Sequence, residues 1–201
     1  IGAALVLAVL YLFLLNIKTA LISAVAIPLS LLSSILILVY QGVALNIMVL
    51  GGLVIALGEV VDDAIIDTEN IFRRLKENKI KQTPENPLKI IINASIEIRH
   101  SVVSATVIVV LAFSPLLFIP GVAGRLFEPL GLAYIYALTS SLVIALTITP
   151  ALCALLLHKK SSFTAKESPT VLFLKKNYIK LLKKIEKAPK EVAGATIFFV
   201  L

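Results

Sequence analysis

Apolar positions fill the chain in long blocks, broken by short polar segments. Ala20–Tyr40, Ser101–Ile119 and Leu130–Leu157 each approach or exceed the roughly 20 apolar residues that a bilayer-crossing helix needs. A fourth block, Ile47 to Phe72, is as long but carries Glu59, Asp62, Asp63, Asp67 and Glu69 in its latter half. Apolar runs at 1–15 and 192–201 add two partial spans. No run alternates apolar and polar in the manner of an outer-membrane strand. The pattern therefore predicts an all-α fold, a polytopic transmembrane helix bundle over 1–157.

Composition agrees. Hydrophobic residues make up 59% of the 201 and the mean hydropathy is +1.00, well above the roughly 45–50% apolar share of soluble domains. The first residue is Ile and opens inside an apolar run, so the sequence reads as a piece of a longer protein. The single cysteine, Cys153, excludes an internal disulfide or a thiolate metal cluster within the chain. His100 and His158 are far apart at predicted cytoplasmic ends, so no metal site and no cofactor is expected. The net charge of +7 would suit nucleic acid, but its distribution explains it otherwise. With the first partial span exiting to the cytoplasm, segments 16–19, 73–100 and 158–191 hold 18 of the 19 basic residues. Only Arg125, in PGVAGRLFEP, lies opposite. That is the positive-inside pattern, and no nucleic-acid partner is called for.

Segment 169–187, PTVLFLKKNYIKLLKKIEK, repeats Val171, Leu174, Tyr178, Leu181, Leu182 and Ile185 at helical spacing, with lysines on the remaining face. It reads as an amphipathic helix on the cytoplasmic face, attracted to anionic lipid, or equally as a linker joining two halves of a transporter. Pro28, Pro115 and Pro150 fall inside helical runs, where a missing backbone donor kinks the helix.

The acids are ordered. At 100° per residue, Glu59, Asp62, Asp63, Asp67, Glu69 and Asn70 fall within an arc of roughly 160°. Val60, Val61, Ala64, Ile65, Thr68, Ile71 and Phe72 fill the opposite arc. Asp62 and Asp63 lie within about 5 Å of the middle of the 47–72 helix. An ionised aspartate at that depth costs at least ~2.5–3.5 kcal/mol. Two adjacent carboxyls in a poorly solvated site resist being charged together, which makes the pair a candidate proton carrier. Were the membrane to end near Ala64, the acids would instead form an ordinary polar helix end. Glu59, Asp67, Glu69 and Asn70 are candidates for an accessory proton path, and Asp67, Glu69 and Asn70 serve equally as packing or lining groups. Gly51, Gly52 and Gly58 are expected to permit close helix approach.

GEVVDDAIIDTENIFRRL, 58–75, resembles the fourth transmembrane helix of resistance–nodulation–division (RND) efflux permeases, whose pattern is roughly G-x-x-V-D-D-A-I-x-x-x-E-N. YLFLLNIKTALISAVAIPLSLL, FSPLLFIPGVAGRLFEPLGLAY and LTITPALCALLL resemble other helices of that family in the family's order. The resemblance covers about the second to the start of the seventh helix. It implies a secondary active transporter, not an enzyme: a proton antiporter of the bacterial inner membrane. It also implies a homotrimer working with a periplasmic adaptor and an outer-membrane channel, and Asp62 and Asp63 as the proton relay. The partner lysine and the substrate-binding domains of the family lie outside this chain. ENIFRRLKEN and GVAGRLFEPL lean towards the heavy-metal (cobalt–zinc–cadmium) branch, while the doubled aspartate and TPALC lean towards the multidrug branch; the expectation is export of heavy-metal cations, with multidrug export as the alternative. Glu59 departs from the pattern, adding a third carboxyl one turn before the pair. The rival readings are a protein-translocation or sterol-sensing relative with the same helices, or a non-functional remnant.

Overall fold

The structure, a computed structural model, describes residues 17–81, 83–157, 176–180 and 182. Among the described residues, four helices make up the main unit: α1 (Ile17–Tyr40), α2 (Ile47–Ile80), α3 (Pro87–Phe113) and α4 (Gly121–Leu157). A 3-10 turn, Ser114–Phe118, joins α3 to the loop before α4. No strand occurs among the described residues, so the fold is all-α. The chain divides into two units, and of the second only 176–180 and 182 are described, as helix. The partial spans 1–15 and 192–201 and most of 169–187 lie outside the described residues.

Local chemistry sets the boundaries. α1 ends at Gly42, whose φ of 77° is open to glycine without strain. Gly42 N–H donates to Val39 O and Val43 N–H to Leu38 O, both at 3.0 Å, the paired closing bonds of a Schellman cap. The chain turns back at once, because the Asn46 side chain accepts from Met48 N at 3.0 Å and Val49 N at 2.9 Å. α2 then runs 34 residues, about 51 Å. It passes Phe72, where the hydropathy ends, because RRLKENKI is rich in good helix formers and Arg74 pairs with Glu77 at 3.0 Å. Asn78 closes the next turn, donating to Glu85 O at 2.9 Å and accepting from Glu85 N at 3.0 Å. Asn86 caps α3, which starts well before the apolar run at Ser101.

Prolines divide into two kinds. Pro28 and Pro150 lie inside helices, as does Pro129, since α4 begins at Gly121 rather than near Leu130. Pro115 is not interior: it opens the 3-10 turn after α3 has ended, where it lacks no needed donor.

Consecutive helices reverse direction, so α2 and α4 run the same way, with Gly52 beside Ala133 and Asp63 beside Ser141. α2 and α4 form the central pair, and α1 and α3 each pack against both. The fit of α4 comes from one stripe of small residues at four-residue spacing: Ala133, Ala137, Ser141, Ala145, Thr149 and Cys153, all buried. Such stripes let helix backbones approach where hydrophobicity gives no selectivity. Gly52 of α2 meets the same stripe, so that a Cβ there would strike the Leu130 carbonyl oxygen and come within 3.0 Å of Ala133 Cβ. Gly51 is looser, and Gly58 has nothing within 4 Å, so close approach is confined to one of the three glycines. Ser23 ties α1 to α2, donating to Ala64 O at 3.0 Å and meeting Thr68 Oγ1 at 3.0 Å. Apolar side chains such as Leu32, Leu36, Val54, Ile108 and Leu111 remain exposed on the outside. α1, the run Pro87–Phe118 and α4 are long and apolar enough to cross a membrane, and an outward apolar surface is what lipid requires.

Candidate functional site

The site is the middle of α2, where Asp63 is the seventeenth of 34 residues. The polar arc of the sequence does not face one environment. The bundle's inner surface is rotated by about a quarter turn from that arc, so it takes Asn70, Asp63 and Asp67 and leaves Glu59, Asp62 and Glu69 exposed. The reason is geometric: neighbours in sequence stand 100° apart and do not share a groove, whereas i and i+4 do. Asp62 and Asp63 are thus adjacent along the chain and separate in surroundings.

Asp63 is partly buried against α4, and Ser141 Oγ donates to its Oδ2 at 3.2 Å. Ser141 comes from the stripe that brings α4 close, so the feature that packs the helices also delivers the hydroxyl. One turn on, Asp67 is only 4% exposed. A cavity of about 10 Å³, close to the lower limit for one water, touches Asp63, Asp67, Ser95, Arg99 and Ala145. Asn70 acts as a strut: its Nδ2 donates to Ala94 O of α3 at 2.8 Å and its Oδ1 accepts from Arg73 at 2.8 Å. Replacing Asn70 with Ala orphans a buried arrangement and is expected to destabilise the α2–α3 contact by about 1–3 kcal/mol. Faster amide exchange around Ala94 in the purified protein would register it, and unchanged exchange would refute it.

At the basic ends of α2 and α3, Arg74 bonds Glu97 of α3 through both Nε, at 2.9 Å, and Nη2.

Ser141, Ser95 and Arg99 join the site only through the tertiary structure. A signal for Ser141 existed in the four-residue repeat of small residues in α4. Ser95 and Arg99 belong to the polar stretch before Ser101, and nothing along the chain itself links them to α2.

The whole chain, residues 1–201, matches the AcrB/AcrD/AcrF family. The chain belongs to that family of RND permeases. Among curated proteins it is 40% identical over 158 residues to the swarming motility protein SwrC of Bacillus subtilis (strain 168). The match covers 79% of this chain and 15% of SwrC, so the chain spans a small part of that relative's length. This RND permease segment is a membrane protein with the four-helix unit described above. Its family is one of transporters, not enzymes.

Proposed function

We propose that this segment carries the proton-coupling carboxyls of an inner-membrane RND efflux antiporter, with Asp62 and Asp63 binding and releasing the protons that drive export. The carrying observation is Asp63, a carboxyl at the midpoint of α2, held between helices by the Ser141 hydroxyl of α4. A proton arriving there cancels a charge at a helix–helix contact. The charged and neutral forms then favour different packings of α2 on α4, and population shifts between the packings. Asp62 faces outward from the bundle. In the complete permease we assign that side to further helices, which would supply its counter-charge.

The match of residues 1–201 to the AcrB/AcrD/AcrF family supports a permease over a protein-translocation or sterol-sensing relative. Neither match selects between heavy-metal and multidrug export, and the proposal is proton-driven export of a cargo from one of these two classes. A homotrimer with a periplasmic adaptor and an outer-membrane channel belongs to the same proposal for the whole protein. In everted vesicles containing the full-length permease, export of a cationic dye, or of Zn²⁺ or Cd²⁺ as the rival cargo, should require an imposed proton gradient. Export at full rate after the gradient is collapsed would overturn the proposal.

A further inference from the structure

One carboxyl in the bundle is left without work by the Asp62–Asp63 pair. Asp67 is 4% exposed, and its Oδ2 is buried with no hydrogen-bond partner among the described residues. Ser140 Oγ and Thr149 Oγ1 share that condition, but Asp67 is the only ionisable group of the three. A carboxyl kept for structure would be expected to hold donors, since leaving a buried polar atom unmet is costly. Asn70, three residues on, shows the contrast with bonds from both ends of its amide.

The cavity supplies the missing relation. It is lined by both Asp63 and Asp67, which stand one turn apart on a single face, their Cβ atoms about 5–6 Å from each other. Its other polar walls are Ser95 and Arg99 of α3. Ser95 is buried, whereas Arg99 is exposed, so Arg99 is the polar lining residue that reaches the surface. That side carries the basic segments and is cytoplasmic by the positive-inside rule. The charged and titratable groups around Asp67 are Asp63 on its own helix, Arg99 from α3 and Cys153 from α4. Lys18, the cation of α1 at this end, donates to Leu156 O at 3.1 Å.

We propose that Asp67 is a second proton station, receiving the proton from Asp63 through the cavity and handing it to cytoplasmic water beside Arg99. The O–H bond of protonated Asp63 breaks as a bridging water takes its proton and gives another to the Asp67 carboxylate. Asp63 is left as a carboxylate accepting from Ser141. The Asp67 O–H then breaks to a water at the cavity mouth, forming hydronium, and Arg99 faces the carboxylate left behind. One proton has moved and nothing else is consumed.

This inference rests on Asp63 being a proton site, and the test separates the two. In the full-length purified permease, the infrared band of a protonated carboxyl that disappears in Asp63→Asn reports Asp63. Its hydrogen–deuterium exchange after transfer to D₂O measures access to water. Asp67→Asn is expected to slow that exchange by at least about 100-fold, the lower end of what a positioned proton-transfer group contributes. Asp67→Glu should restore most of the rate, and added azide or formate should restore part of it in Asp67→Asn, which a merely structural role would not allow. Should Asp67→Asn fail to assemble, Arg99→Gln on the exposed side is expected to slow exchange several-fold. Wild-type exchange in Asp67→Asn, or in Arg99→Gln where that variant carries the test, overturns the relay. If Asp63→Asn removes no titrating carboxyl band, the assignment of Asp63 falls, and the relay with it.

Discussion

Asp63→Asn in the full-length permease is expected to abolish gradient-driven export while leaving expression and assembly intact. Asparagine keeps the shape of the side chain and can still accept from Ser141, so the α2–α4 contact survives. What it loses is the ability to take up and release a proton, and with it the link between the gradient and the helix packing. The expected fall in rate is at least about 100-fold, the lower end of what a positioned proton-transfer group contributes. Asp62→Asn should be similarly inactive under the proposed pairing. Ser141→Ala is the graded control: it removes one hydrogen bond to the carboxylate, worth about 1.5–3 kcal/mol, and should weaken transport without ending it. Dye export from everted vesicles at matched protein levels reads all three. Undiminished export in Asp63→Asn would end the case for this residue as the coupling site.

The second large effect concerns assembly. Gly52→Leu is expected to prevent α2 from seating on α4, because even the first carbon of a side chain at residue 52 collides with the backbone carbonyl of Leu130. A backbone oxygen on a helix has no rotamer to escape into, so the two helices must separate. Overpacking of this kind costs typically about 1–3 kcal/mol, and a whole Leu against backbone belongs at or beyond the upper end. Since Ser141 reaches Asp63 only by way of that close approach, export should fail along with stability. Gly58→Ala is the matched control, with open space at the new Cβ. It should be neutral or stabilising by up to about 1 kcal/mol from helix propensity. Thermal unfolding of the detergent-purified variants measures the pair. Equal stability of Gly52→Leu and wild type would refute the packing described for α2 and α4.

The two effects are linked through one stretch of α4. Ala133, Ala137, Ser141, Ala145, Thr149 and Cys153 form a continuous buried line, and the hydroxyl at Ser141 is the one that meets a carboxyl. Replacing the small residues above it disturbs the site by distance, while replacing Ser141 disturbs it by chemistry. Comparing Ala137→Leu with Ser141→Ala therefore divides positioning from hydrogen bonding at a single helix face.

The chain's own residues determined the class of fold, the helices and the identity of the acids. Unbroken apolar runs leave a membrane helix little alternative, since every backbone donor and acceptor must be met within the segment. The acids of α2 are conspicuous because charge is expensive among such residues. Helix ends were less legible: polar helix formers carry α2 on to Ile80 and start α3 at Pro87, beyond where hydropathy stops. The tertiary structure alone decided how the polar arc is divided. A helical wheel gives angles about one axis and says nothing of where the neighbouring helices stand. That placement was set by Gly52 and the small residues of α4 fitting together. It turned Asp63 and Asp67 inward to Ser141, Ser95 and Arg99, and left Asp62 on the outside.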